Sequence, residues 1–214
     1  MIDRTRTRPH GGPGRRLLAA IAAVALALPL GLSLTAQPAA AADEPSLKVA
    51  LTSDVDTFNP FLAILASSIN ILRFQYEPLV GYGKNNELVP GLAEKWTTSE
   101  DGKTWTFSIP ADRKWSDGQP LTADDAVWTI DAVRTKEALQ QANGGLVDNV
   151  ASVSATDPQT LVIELKAAQA ANPGTELPIV PKHVWEKVDA ATYANDTDTV
   201  GSGPCVITLA TSES

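Results

Sequence analysis

Apolar and polar positions repeat along this chain in two periods, and the switches between them mark its elements. Ile69, Leu72, Arg73 and Tyr76 stand at i, i+3, i+4 and i+7, the spacing of one helix face, with Ser67 or Ser68 as the cap and Pro78 as the stop. The period then falls to two. In "EKWTTSEDGKTWTFSI", Trp105, Phe107 and Ile109 alternate with Thr104, Thr106 and Ser108, and Asp101-Gly102 supplies the positive φ angles of a tight turn, so the stretch predicts a hairpin. A second hairpin is predicted from Val150 to Leu165, with Leu161, Ile163 and Leu165 on one face and Asp157-Pro158 at the turn. Upstream of both, "LKVAL" reads as a buried strand and "TSDVDTFNP" as the loop leaving it, ended by Asn59-Pro60.

"WSDGQPLTADD", Trp115 to Asp125, links the two periods. Ser116-Asp117-Gly118 is turn chemistry, Pro120 sets the chain direction, and Thr122 with Asp125 three residues later has the form of a capping box. Ala126, Val127, Ile130 and Val133 then form the buried stripe of a helix. Asp124 and Asp125 fall in its first turn, where the macrodipole favours negative charge by a few tenths to about one kcal/mol each. Local structure therefore accounts for these carboxylates without catalysis.

The N-terminal segment is of a different kind. Arg4, Arg6, Arg8, Arg15 and Arg16 precede an uncharged apolar run from Leu17 to Leu34, and Ala40 and Ala42 form an A-x-A cleavage pattern. Residues 1–42 are expected to be a signal peptide and residues 43–214 the mature part, exported and extracellular, rather than anchored by a span. Arg15-Arg16 is read as ordinary charge before the apolar run. No cysteine stands at the cleavage point, so no covalent lipid anchor is expected.

Charge and cysteine use then narrow the function. The net charge is −8, and the leader holds five arginines against one acidic residue, so the mature part is more acidic still. That balance argues against a nucleic-acid partner. Cys205 is the only cysteine, which excludes an intramolecular disulfide; it is read as a small buried residue rather than a reactive thiol.

Catalytic patterns do not assemble. Gly201-Ser202-Gly203 lacks the G-x-S-x-G form of a nucleophile elbow. His183 is the one histidine past the leader and follows Pro181, read as a first-turn helix proline, so a histidine metal site is not expected. Asp54 and Asp56 are the best remaining acidic pair, at i and i+2 on an extended segment. They would need further oxygen ligands to hold Ca²⁺, so a solvated loop is the better reading. Trp96, Trp105, Trp115, Trp128 and Trp185 are read mostly as core rather than as a sugar platform. No catalytic residue, cofactor or metal is expected.

Taken together, "RFQYEPLVGYGKNNELVPGLAEKWTTSEDGKTWTFSI", "KWSDGQPLTADDAVWTI", "LPIVPKHVWEKV" and "VGSGP" resemble the extracellular solute-binding proteins of family 5, the oligopeptide- and dipeptide-binding proteins of ABC importers, over nearly all of Leu47 to Pro204. The resemblance implies an α/β fold, a periplasmic-binding-protein-like (type II) clamshell, present here only as an incomplete first lobe with its extra subdomain. It implies capture of a small solute by lobe closure, a peptide first of all, and delivery to an ABC permease complex in the membrane. The family's other solutes include nickel, haem and oligosaccharides. By the same resemblance Ala63, Ile64, Leu65, Ala66 and Ser67 line the cleft near the ligand, and Gly201, Ser202 and Gly203 lie near the lobe crossing. Small residues admit close backbone approach, and a helix start after Ser67 would present N–H donors to a carboxylate or carbonyl. Two departures stand out: Cys205 replaces the usual aromatic after the glycine turn and "VITLATSES" then fades into a polar tail, and "KAAQAANPGTE" is poorer in aromatics than is usual before "LPIVPKH", so the end of the chain reads as a fragment, a frameshift or a short product. The rival functions are a secreted one-lobe interaction module and, less favoured, a hydrolase.

Overall fold

The structure, a computed structural model, describes residues 53–208. The predicted leader, the "LKVAL" strand and the last residues of the polar tail lie outside the described residues. The two predicted hairpins form and then pair with each other. β3 (Lys95–Thr98) and β4 (Thr104–Ser108) make the first, β5 (Val150–Asp157) and β6 (Thr160–Leu165) the second. They join through β4 and β6 into an antiparallel sheet of order β3-β4-β6-β5. The register sets Trp105 opposite Ile163 and Phe107 opposite Leu161, so the apolar faces predicted separately for each hairpin become one buried surface. Each fully buried side chain of this size stabilises the fold by about 1.5–3 kcal/mol.

The first hairpin turn is wider than predicted. Ser99 to Lys103 form a five-residue loop in which only Gly102 has positive φ, at 70°. Asp101 contributes through its carboxylate, which accepts the Lys103 N–H at 3.1 Å and the Ser99 hydroxyl at 2.5 Å. At the second turn the Asp157 carboxylate accepts the Gln159 N–H at 2.8 Å.

Helix α2 (Ala123–Thr135) packs against β5 and β6, burying Ala126, Ile130 and Val133 as expected, with Val127 half-buried. Helix α3 (Glu137–Val147) follows after a single residue and packs on α2. The sequence reading missed α3. Its buried positions are Leu139, Asn143, Gly144 and Val147, a helical face made half of polar and small residues, and such a face carries little hydrophobic periodicity. β1 (Val80–Tyr82) and β2 (Leu88–Pro90), also missed, form a separate two-stranded ladder too short to show alternation. Helix α4 (Lys182–Trp185) opens directly after Pro181, one position later than a first-turn proline would place it.

Helix α1 (Ala66–Gln75) departs most from its prediction. Leu65 occupies the N-cap position, and Ser67 and Ser68 lie inside the first turn. The buried face is Ser67, Ser68, Leu72 and Gln75, whereas Ile69 and Arg73 face outward and Tyr76 is the buried C-cap residue. The apolar stripe misled because the inward face is polar. An aromatic cluster beside it fills the core, with Phe61 edge-on to Trp185 at 5.1 Å and Trp185 edge-on to Tyr193 at 5.1 Å.

Candidate functional site

The residues expected to line a ligand cleft fall at the two ends of α1. A ten-residue helix is about 15 Å long, so the structure does not bring the two groups together. At the N-terminal end Ile64, Leu65 and Ala66 are exposed, while Ala63 and Ser67 are buried. Ile64 is 65% exposed and Leu65 41%, an unusual display for two adjacent large aliphatic residues.

Asp56 organises this end. One carboxylate oxygen accepts the N–H groups of Ile64 and Leu65, at 2.9 and 3.2 Å, and the other accepts the Ser68 hydroxyl. The Ser68 oxygen accepts the Asp56 N–H in return at 3.0 Å, and Ser67 donates to the Asp54 carbonyl at 2.5 Å. Partial burial pulls the Asp56 carboxyl upward, but the Ser68 hydroxyl and the two backbone N–H groups more than reverse this and hold it below the ordinary carboxylate value. Asp54 and Asp56 are both exposed on the loop, as a solvated loop implies, and the Asp56 carboxylate in addition clamps it, with Asp54 contributing only its backbone carbonyl. The two N–H groups that the Asp56 carboxylate accepts lie just ahead of α1, and from the helix's first turn it takes the Ser68 hydroxyl. Behind the clamp, fully buried Asn59 donates to the carbonyls of Ala190 and Tyr193 at 2.9 and 2.7 Å. The sequence presented Asn59 only as a chain stop.

At the C-terminal end, Gly201-Ser202-Gly203 wraps the last turn of α1. The N–H groups of Ser202 and Gly203 both donate to the Gln75 carbonyl at 2.9 Å, the Cys205 N–H donates to that of Phe74 at 3.0 Å, and the Ser202 hydroxyl accepts the Glu77 N–H at 3.0 Å. These bonds satisfy carbonyls that a helix end leaves unpaired. They also explain the glycines. A Cβ on Gly201 would stand 2.5 Å from the Gln75 carbonyl oxygen, and one on Gly203 2.4 Å from that of Phe74. The close backbone approach foreseen from the small residues is made to the chain's own helix.

The "WSDGQPLTADD" stretch fastens this junction. Ser116 exchanges two hydrogen bonds with Gly201, its N–H donating to the Gly201 carbonyl at 2.9 Å and its hydroxyl accepting the Gly201 N–H at 3.1 Å. Asp117 Oδ2 lies 2.7 Å from His183 Nε2 on α4. Partial burial raises the Asp117 carboxyl, and the Gln119 N–H and the His183 ring outweigh it, leaving the group below its ordinary value. Buried Asp125 is the hub: it accepts the N–H of Thr122 at 2.9 Å, of Lys182 at 2.8 Å and the indole N–H of Trp115 at 3.3 Å. The structural reading of these carboxylates holds, with a wider reach than a helix cap.

Two further expectations are settled. Cys205 is exposed rather than buried: its N–H is tied to the Phe74 carbonyl at the end of α1, and its side chain lies at the surface of that junction. Trp105, Trp115 and Trp185 are core residues, and Trp96 and Trp128 are half-buried against the core. Among the described residues no three His, Cys, Asp or Glu side chains gather at metal-binding distance.

Comparison with known proteins adds a second line of observation. Residues 87–210 match the family model described as bacterial extracellular solute-binding proteins, family 5 Middle. The chain is 38% identical over 133 residues to the nickel-binding periplasmic protein of Escherichia coli strain K12, covering 61% of this chain and 24% of that one. It is 33% identical over 210 residues to Protein XP55 of Streptomyces lividans, covering 95% and 37%. Among solved structures, the murein tripeptide binding protein MppA of Escherichia coli is similar with a TM-score of 0.61 and 25% identity, over 75% of this chain and 35% of that one. The chain thus spans between a quarter and somewhat over a third of the length of these relatives.

Proposed function

We propose that this chain, which belongs to the bacterial extracellular solute-binding proteins of family 5, acts in the substrate-binding component of an ABC importer. Its mixed α/β fold is that of part of a type II periplasmic-binding protein. In the proposed reading it forms the first lobe with its extra subdomain, exported by the leader, and captures a small solute by lobe closure without covalent chemistry. Peptide is the leading solute class, supported by the likeness to a murein tripeptide binding protein; the likeness to a nickel-binding protein makes a metal complex the alternative. The single observation that carries the reading is the family match across residues 87–210. At the site, exposed Ile64 and Leu65, held out on a loop clamped by Asp56, are the part of the predicted ligand loop best placed to meet a solute. Gly201, Ser202 and Gly203 serve it indirectly, by fixing the far end of α1.

The test is incubation of the intact gene product with a defined peptide mixture, followed by mass spectrometry of what is retained and what is released. Retention of intact peptides is expected. Cleavage products would overturn the binding reading in favour of a hydrolase, and capture of a protein without any solute would favour the interaction module.

A further inference from the structure

Asn143-Gly144 is the one Asn-Gly pair in the sequence, and it lies inside α3. This dipeptide is especially open to attack on itself, because glycine puts no side chain in the way of its own backbone nitrogen. The Asn143 amide also has a structural task. It is buried, and its Nδ2 donates to the carbonyls of Pro60 and Phe61 at 3.3 and 3.1 Å. It thereby ties α3 to the segment that runs into the candidate ligand loop, Ala63 to Ser67.

The helix that carries this amide is weakly secured. Glycine is the poorest helix former after proline, and Gly144 and Gly145 stand side by side in the C-terminal half of α3. Neither has a positive φ. A Cβ on Gly145 would meet nothing within 4 Å, so alanine would fit there and hold the helix better. No side-chain cap closes the start of α3. Its flanks are hollow as well. A cavity of about 150 Å³ on the α1 side is lined by Ala142, Asn143 and Leu146, and one of about 230 Å³ on the β5 side by Gln140, Gly144 and Val147. A helix of low propensity with space along both flanks opens locally while the rest of the fold stays intact.

We propose that Asn143 is a self-modification site, gated by the opening of α3, whose conversion to aspartate and isoaspartate releases the loop ahead of α1. In the closed helix the Gly144 N–H points along the axis to the carbonyl four residues back, and Pro60 and Phe61 hold the Asn143 amide, so nitrogen and amide carbon do not meet. Once the turn opens, the Gly144 nitrogen attacks Asn143 Cγ. The new Cγ–N bond closes a succinimide, the Cγ–Nδ2 bond breaks, and ammonia leaves with the proton given up by Gly144. Water then opens the ring. Addition at Cγ gives aspartate, and addition at the backbone carbonyl of residue 143 gives isoaspartate, with the main chain rerouted through the side chain. Neither product keeps the donor. A carboxylate only accepts, so the Pro60 and Phe61 carbonyls lose their partner and face a buried negative charge. The extra backbone atom of isoaspartate also breaks the helical register.

The test incubates the full 214-residue chain in native buffer and in urea, beside Gly145→Ala, which steadies α3 without touching Asn143. Mass spectrometry of tryptic peptides follows the loss of the amide, and methyl transfer by an isoaspartyl methyltransferase identifies isoaspartate. Asn143 should convert in native buffer, about fivefold more slowly in Gly145→Ala. In urea both chains should convert faster and at one rate. No conversion at Asn143 in native buffer, or equal native rates in the two chains, would overturn the gated site. The converted fraction, separated by its added charge, should exchange the Ile64 and Leu65 amide hydrogens at least about tenfold faster than the parent, and Asn143→Asp reaches the same state directly. Exchange there that is unchanged, or quickened equally throughout the chain, would overturn the release of the loop.

Discussion

Asp125 shows how much can hang on one side chain. Three donors from three segments converge on its buried carboxylate. Asp125→Ala should therefore cost about 3 kcal/mol, because it leaves buried N–H groups without partners. Thr122→Ala keeps the Thr122 N–H bond to Asp125 and should cost about 1 kcal/mol at most. Urea unfolding of both variants measures the difference, and equal losses would show that the helix cap is all that matters. The local half of this role was readable, since a threonine followed three residues later by an acid announces a capped helix start. The other half was not, because nothing in the residues near Asp125 signals that Trp115 and Lys182 will arrive at the same oxygens. The same limit hid Asn59, whose partners Ala190 and Tyr193 lie more than 130 positions away.

At the scale of elements, those built by side-chain alternation were legible and those built on polar faces were not. Both hairpins follow from period two, while α3 and the inward face of α1 are assembled from Asn143, Gly144, Ser68 and Gln75. Polar packing of that sort makes α1 depend on its loop. Asp56 is held below the ordinary carboxylate value of 3.8, so its ionised form favours the folded state above that pH, and the contribution drains away as pH falls through the lower folded value. Urea midpoints taken from about pH 5 down to about pH 2.5 should fall, and Asp56→Asn should fall less steeply over that window. Asp101, Asp117 and Asp157 are shifted in the same direction, so the difference between wild type and variant is the quantity to read. Identical slopes would show that the clamp does not stabilise the fold. The candidate ligand loop itself was placed only through family resemblance; its exposure on a clamped loop emerged from contacts between Asp56 and Ser68 that no periodicity encodes.

At the scale of the whole molecule, a clamshell encloses most of its solute between opposed walls, and binding pockets usually cover about 70–90% of a ligand's surface. A region matching about a third of such a protein should bind weakly alone and associate through its exposed apolar residues. Light scattering on residues 43–214 should show mass rising with concentration, and Ile64→Ser with Leu65→Ser should reduce that rise while shifting stability by less than about 0.5 kcal/mol. Isothermal titration giving sub-micromolar peptide affinity from a monodisperse monomer would overturn both expectations. The glycine wrap around α1 bears on how the chain acquires its structure in time. Ten residues are too few for a helix to persist alone in water, and here the donors to its last carbonyls, Ser202, Gly203 and Cys205, come from the far end of the described residues. Helix α1, early in the chain, must wait until Gly201 to Cys205 have emerged. Closing so long a loop is a late, entropically costly event, so the wrap should be largely absent from the folding transition state. Gly201→Ala, whose new Cβ presses on the Gln75 carbonyl, should accordingly hasten unfolding in stopped-flow experiments and leave the refolding rate nearly unchanged: the element nearest the start of the described residues would then be among the last to set.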